Sequence, residues 1–135
     1  MVNGTERARR MDHALLVDDE PEICLLLSNM LRRTGTLCSF AHSVEEGKQA
    51  LQVGHFDAVF LDVHLPDGLG YDLIPDIKAF QPAARLIAIS AVDSERSRAE
   101  AAGVDLFVPK PFNRSIILSS IRQLGFPAEN SPTNG

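Results

Sequence analysis

Short apolar runs alternate along the chain with stretches in which apolar residues recur at helical spacing. A short continuous apolar run is typical of a buried strand, whereas apolar residues spaced three and four positions apart indicate one face of a helix. Turn and capping residues separate the two kinds of segment. The pattern predicts strands at 13–17, 36–41, 57–61, 85–90 and 105–109.

Each predicted strand is followed by a predicted helix. Pro21 suits the first turn of the first helix, which ends at Gly35. A capping box at 43–46 opens the second helix, and the third tolerates Pro75 near its first turn. The four later helices are predicted at 43–51, around 71–80, at 94–102 before Gly103, and after the capping residue Asn113.

Five strands alternating with five helices indicate βα units, and therefore a doubly wound parallel sheet with helices on both faces. The near-continuous apolar strands agree with this α/β fold class, because both faces of such a sheet are covered. The 135 residues suffice for one domain with its own core. We predict this domain at 12–126, between disordered tails at 1–11 and 127–135.

Composition and charge exclude several classes of protein. The net charge of −5 argues against direct nucleic-acid binding, which needs a basic surface. No apolar run reaches the length of a membrane span, and the basic "ERARR" is not followed by a signal-peptide core, so we expect a cytoplasmic protein. Cys24 and Cys38 are predicted to be reduced thiols. Three histidines without partners at ligand spacing are predicted to lie at the surface: His13, His42 and His55.

Polar side chains follow four of the predicted strands. Asp18 and Asp19 follow the first strand, and Asp62 follows the third. Ser90 ends the fourth strand and Lys110 follows the fifth. Each has an ordinary structural explanation, as a helix cap, a loop hydroxyl or a surface lysine. Because sites in open α/β sheets form beyond the carboxyl ends of the strands, we interpret the group as one functional site.

The chemistry of this group favours a cation and phosphoryl transfer. Three neighbouring carboxylates repel one another and so require a cation, and oxygen ligands with room for water suit Mg²⁺. A cation also offsets the charge of an incoming phosphoryl group, whose oxygens Lys110 and Ser90 can bind. A carboxylate is itself a known nucleophile for this reaction.

Four motifs in this order and spacing resemble the receiver domain of bacterial two-component response regulators, in particular chemotaxis-type receivers. They are "LLVDDEPEI", "DAVFLDVHLPDGLG", "LIAISA" and "AGVDLFVPKPF". The resemblance covers about residues 12–125. It implies a flavodoxin-like, five-stranded parallel sheet with the strand order 2-1-3-4-5.

The resemblance also implies roles for the acidic residues. Asp62 would be the phosphoacceptor, placed at the strand end as a rigidly aimed nucleophile and not as a helix cap. Asp19 and Asp62 would ligate Mg²⁺ directly, together with the backbone carbonyl of His64. Asp18 would act on the metal through water.

Further roles follow from the same resemblance. Lys110 and Ser90 would contact the phosphoryl group. Phe107 matches the aromatic position whose inward rotation accompanies activation, or it is a plain core aromatic. The junction between Lys110 and Pro111 resembles one that is usually cis.

The implied function is signalling by phosphorylation. A sensor histidine kinase or a histidine phosphotransfer protein would donate the phosphoryl group to Asp62, adding about −1.5 to −2 charges at pH 7. The domain would catalyse only its own phosphorylation and dephosphorylation, so it would not be an enzyme in the usual sense. Movement of Ser90 and Phe107 would shift the fourth helix, fifth strand and fifth helix between two packings and change partner binding.

Three features depart from the family pattern. His64 occupies a variable position that influences dephosphorylation, or it is an exposed loop histidine. The stretch from Ser90 to Lys110 is about two residues short, so we expect a short or shifted fourth helix, and we do not extend the resemblance to the family's usual dimer surface. The residues after Gly125 do not suffice for an effector domain, so we expect either a stand-alone receiver or a receiver cut from a longer protein, with an unknown output partner.

Other classes fit the sequence less well. A flavin mononucleotide protein of the same fold would need a phosphate loop, but "DDEP" would repel a phosphate. A haloacid-dehalogenase-like phosphatase needs a second aspartate where His64 stands. A receiver-like module that works without phosphorylation would normally have lost acidic residues that this chain keeps.

Overall fold

The computed structural model describes residues 10–127. The strands are β1 (His13–Val17), β2 (Leu37–Ala41), β3 (Ala58–Asp62), β4 (His64–Leu65), β5 (Gly68–Leu69), β6 (Arg85–Ser90) and β7 (Leu106–Pro109). The helices are α1 (Pro21–Arg32), α2 (Val44–Val53), a short 3₁₀ helix (Gly70–Leu73), α3 (Ile74–Phe80), α4 (Glu95–Ala102) and α5 (Arg114–Gln123).

Five strands form one parallel sheet in the order β2-β1-β3-β6-β7. Counting only these strands, the order is 2-1-3-4-5, which confirms the predicted fold class. In register, Asp62 of β3 pairs with Ile89 of β6, and Ser90 pairs with Pro109 of β7. The carboxyl ends of these strands therefore lie along one edge of the sheet.

The sheet divides the core into two layers. Neighbouring residues on a strand point to opposite faces, so Leu15 and Leu16 of β1 belong to different layers although both are buried. One layer packs under α1 and α5, including Leu27 and Ile121, and the other under α2 and α3, including Leu51. Each buried side chain of this size stabilises the fold by roughly 1.5–3 kcal/mol.

The predicted third helix begins later than expected. The chain forms a β4–β5 hairpin that was not predicted, then a 3₁₀ turn, and α3 starts only at Ile74 with Pro75 in its first turn. Gly70 explains the delay, because its N–H donates to the carbonyl of Val63 at 2.8 Å and draws the chain back onto the end of β3. A Cβ at Gly70 would collide with the carbonyl oxygen of Asp62.

The predicted capping box at the start of α2 is only half formed. The Ser43 hydroxyl accepts a hydrogen bond from Glu46 N at 3.0 Å, as predicted. The Glu46 carboxylate, however, accepts from His42 N at 2.8 Å and not from Ser43 N. The Glu46 carboxylate therefore accepts from the backbone N–H one residue before the predicted one, and the Ser43 hydroxyl still caps the helix.

The predicted tails lie mostly outside the described residues. Residues 1–9 and 128–135 are not described, but Met11, assigned to the N-terminal tail, is 5% exposed and belongs to the same core layer as Phe126. The tail prediction is therefore wrong for Met11, whose burial was not evident ahead of the first strand. Between residues 10 and 127, no helix has the length and apolarity needed to cross a membrane.

Candidate functional site

Three carboxylates meet where β1 and β3 end. Asp18 and Asp19 follow β1, Asp62 is the last residue of β3, and one oxygen from each lies within 4.8 Å of the others. Asp18 and Asp62 are buried, while Asp19 is exposed. The Asp18 carboxylate also accepts a hydrogen bond from Glu20 N at 2.9 Å, so Asp18 supports the start of α1 as well.

Lys110 brings a positive charge to this cluster from the loop after β7. Its Nζ lies 3.1 Å from Asp18 Oδ2, 3.6 Å from Asp62 Oδ1 and 3.1 Å from Glu20 Oε1. Its backbone N–H donates to the carbonyl of Ser90 at 2.8 Å, and the bond to Pro111 is cis, as the resemblance implies. Burial alone would lower the pKa of Lys110, but the carboxylates of Asp62 and Asp18 outweigh it and raise that pKa.

The charge of Asp62 is only partly compensated. Burial, followed by repulsion from Asp18, raises its pKa from 3.8 to about 6, with a further contribution from Asp19. Lys110 and the backbone N–H of His64 oppose this rise without cancelling it. A cluster of oxygen donors with excess negative charge fits a hard divalent cation such as Mg²⁺.

Ser90 lies at the same edge of the sheet but in a different hydrogen-bonded setting. It is 1% exposed at the end of β6, and its hydroxyl accepts a hydrogen bond from Val92 N at 3.0 Å. The structure thus places Ser90 on the strand next to Asp62, where its hydroxyl holds the following turn.

Phe107 lies one strand further along the sheet. It is 5% exposed, pairs in register with Ala88 and packs with Val63 and Ala99. The guanidinium of Arg96, an exposed residue of α4, lies 4.8 Å from the centre of the Phe107 ring. Phe107 is therefore a core aromatic that contacts α4.

His64 lies in the two-residue strand β4, and its side chain is 53% exposed. Its Nε2 lies 3.5 Å from Oε2 of Glu95, the first residue of α4. Two glutamates near the site, Glu20 and Glu95, were not predicted from the sequence. Glu20 stands third in the acidic run "DDEP", which is a visible signal, but no motif indicated that Glu95 contacts His64.

The prediction of surface positions for the other histidines is confirmed for His42 and His55, which are exposed, and wrong for His13. His13 is half-buried, lies 2.8 Å from the Ser39 hydroxyl and contacts the Phe56 ring. His42 is exposed, but its Nδ1 lies 2.9 Å from the carbonyl oxygen of Asp18. All three contacts join residues distant in sequence, which ligand spacing does not reveal.

The sequence of this chain is similar to those of response regulators. The family model of the response regulator receiver domain matches residues 14–122. Response regulator protein PilR of Pseudomonas aeruginosa is 33% identical over 127 residues, covering 90% of this chain and 28% of PilR. Transcriptional regulatory protein CpxR of Escherichia coli is 32% identical over 118 residues, covering 84% of this chain and 49% of CpxR. The chain spans less than half the length of these curated relatives.

Solved structures share the fold. Response regulator protein TrrA from Thermotoga maritima, solved in complex with Mg(2+)-BeF, has a TM-score of 0.76 at 30% identity, covering 84% of this chain and 99% of that one. A response regulator protein from Burkholderia pseudomallei, solved with a phosphorylated aspartic acid, a calcium ion and citrate, has a TM-score of 0.73 at 24% identity, covering 84% and 72%. At that identity the second likeness supports the fold alone.

Proposed function

This chain belongs to the response regulator receiver domain family, and we propose that it accepts a phosphoryl group on Asp62 from a phosphohistidine. The donor would be a sensor histidine kinase or a histidine phosphotransfer protein. One observation carries the proposal: a buried carboxylate ends β3 with two further carboxylates and an ammonium group around it. A carboxylate oxygen of Asp62 attacks phosphorus, the phosphorus–nitrogen bond breaks, and its electron pair stays on the imidazole of the donor.

We propose Mg²⁺ as the cation of this site. Asp19 and Asp62 would bind it directly, with the backbone carbonyl of His64, and Asp18 would bind it through water. The raised pKa of Asp62 supports this assignment, because burial and, after it, repulsion from Asp18 disfavour the charged carboxylate that a bound cation would stabilise. When bound, the cation offsets charge on the phosphoryl oxygens.

Lys110 and Ser90 complete the proposed chemistry. Lys110 already lies among the carboxylates, so a small movement of Nζ from Glu20 or Asp18 would bring it to a phosphoryl oxygen. The Ser90 hydroxyl would turn from Val92 N toward the phosphoryl group. Phe107 would respond to that movement, because it packs on the same sheet beside Ala88, two residues before Ser90.

The biological role that we propose is a phosphorylation-dependent change in partner binding. The face formed by α4, β7 and α5 would shift between two packings, and His64 would tune the lifetime of the phosphorylated state. The output would act through a separate partner protein or an effector domain, without direct nucleic-acid or membrane binding by residues 12–126. We place this signalling in the cytoplasm, and we class the domain as a self-phosphorylating switch, not as an enzyme.

Intact mass spectrometry after incubation with acetyl phosphate and Mg²⁺ tests the assignment. We expect one added phosphoryl group, lost in Asp62→Asn and in the absence of Mg²⁺. Asp12→Asn is a matched control, because Asp12 is exposed before β1, at the opposite end of that strand from Asp18. Full modification of the Asp62→Asn variant would rule out Asp62 as the phosphoacceptor.

A further inference from the structure

Glu95 is a buried carboxylate that lies outside the acidic cluster. Its side chain is 11% exposed at the first position of α4, and a charge so placed needs partners. The Tyr71 hydroxyl donates to Oε1 at 2.7 Å, and Oε2 lies 3.7 Å from the Arg98 guanidinium. The same Oε2 lies 3.5 Å from His64 Nε2. Three different side chains therefore converge on Glu95.

Two of these partners come from opposite ends of the segment that follows Asp62. His64 begins β4, and Tyr71 lies in the 3₁₀ helix after β5. Burial, with the hydrogen bond to Glu95, raises the pKa of Tyr71 to about 12, so its hydroxyl keeps the proton and remains a donor. The Arg98 guanidinium also covers the Tyr71 ring at 5.3 Å from its centre. The first turn of α4 thus holds both ends of the segment.

We propose that Glu95 is a positioning residue that keeps the His64 side chain away from a phosphoryl group on Asp62 and so shortens the phosphorylated state. The inference rests on the proposed function. A phosphoryl group would place a second anion two residues from His64, but Nε2 interacts with one acceptor at a time. While Glu95 occupies Nε2, that nitrogen does not shield the phosphoryl oxygens, and water can approach phosphorus for in-line attack.

The test follows the decay of phosphorylated Asp62 by intact mass after removal of acetyl phosphate, at fixed Mg²⁺ and pH. In Glu95→Gln the amide oxygen still accepts from Tyr71, but the charge facing His64 is lost. We expect decay about two- to five-fold slower than in the wild type, the range expected from the loss of one partly exposed charged contact. Glu100→Gln, the same substitution at an exposed position of α4, should decay like the wild type.

The double variant separates positioning from a general effect on α4. If Glu95 acts through His64, Glu95→Gln has no further effect in the His64→Ala background. Equal slowing in both backgrounds would overturn the inference, and so would unchanged decay in Glu95→Gln. In either case the proposed function stands if the wild type gains one phosphoryl group at Asp62.

A second measurement needs no phosphorylation. The ring nitrogen resonances of His64, recorded by ¹H–¹⁵N NMR on the unmodified protein, should shift in Glu95→Gln and not in Glu100→Gln. Unchanged His64 resonances in a folded Glu95→Gln variant would overturn the inference, whether or not Asp62 accepts phosphate.

Discussion

At the scale of single residues, the site is governed by the distribution of one ammonium group among several carboxylates. Lys110 Nζ is closer to Asp18 and Glu20, both at 3.1 Å, than to Asp62 at 3.6 Å. Asp62 therefore shares a positive charge with two competitors while burial removes most of its contact with water. The result is a carboxylate that is destabilised in its charged form.

This destabilisation predicts the pH dependence of the metal-free protein. The pKa of Asp62 is raised from 3.8 to about 6, so the folded state binds a proton more tightly than the unfolded state between these values. The contribution of Asp62 to the free energy of unfolding is thus greatest below about pH 4, and it decreases as the pH rises through 6. In EDTA at pH 7, the free energy of unfolding of Asp62→Asn should exceed that of the wild type by about 1 kcal/mol. The gain is limited because Asp19 is exposed, so water screens its repulsion of Asp62.

Urea unfolding at several pH values measures this difference. The gap between Asp62→Asn and the wild type should close near pH 4, and Asp19→Asn should also raise the melting temperature in EDTA. Added Mg²⁺ should stabilise the wild type more than either variant. If Asp19→Asn melts at a lower temperature than the wild type in EDTA, repulsion among the carboxylates does not dominate at that residue.

Most of the site was predictable at this scale because it depends on strand ends, not on side-chain detail. Strands of a parallel sheet end at one edge, so Asp18, Asp62 and Lys110 had to approach one another once the strands were located. Glu95 was not predictable in the same way. Its contact with His64 depends on the β4–β5 hairpin and on where α4 begins, which local patterns do not determine.

At the scale of elements, buried polar side chains join segments that apolar packing leaves separate. Gln81, just after α3, is 6% exposed. Its Nε2 donates to the carbonyls of Leu51 at 3.0 Å and Gly54 at 2.6 Å, and its Oε1 accepts from Phe56 N at 3.1 Å. One side chain therefore provides hydrogen-bond partners for three backbone groups between the end of α2 and the start of β3. The sequence predicted both elements but not this link between them.

Replacing Gln81 with leucine should reveal the strength of the link. Gln81→Leu keeps a side chain of similar size but leaves buried backbone groups without partners, at a cost of about 1–3 kcal/mol. The free energy of unfolding from urea titration measures the loss. Gln52→Leu serves as a control because Gln52 is exposed on α2, and it should change stability by less than about 0.5 kcal/mol. Equal losses in both variants would show that the effect is not specific to the buried amide.

At the scale of the whole molecule, the helices cover the sheet unequally. The described helices α1 and α5 bury apolar residues along their length, including Leu27, Leu31, Ile117 and Ile121. In α4 the buried residues are Glu95 and Ala99, and the apolar cluster beneath it is small. Hydrogen bonds and ring contacts made by Glu95, Arg96 and Arg98 to Tyr71 and Phe107 therefore contribute much of the packing of α4 on the rest of the molecule. Such contacts are individually weak, so rearranging α4 costs less than rearranging α1 or α5.

Amide hydrogen exchange should show this difference directly. In the unmodified protein we expect α4 to exchange faster than α1 and α5, because less apolar surface must be exposed to open it. With acetyl phosphate and Mg²⁺, protection should change in residues 63–71, in α4 and in β7, and stay the same in α2. Asp62→Asn, treated identically, separates phosphorylation from an effect of the added salts. Protection of α4 equal to that of α1, or a change confined to α2, would contradict the proposal that α4 takes part in the shift of the face formed by α4, β7 and α5.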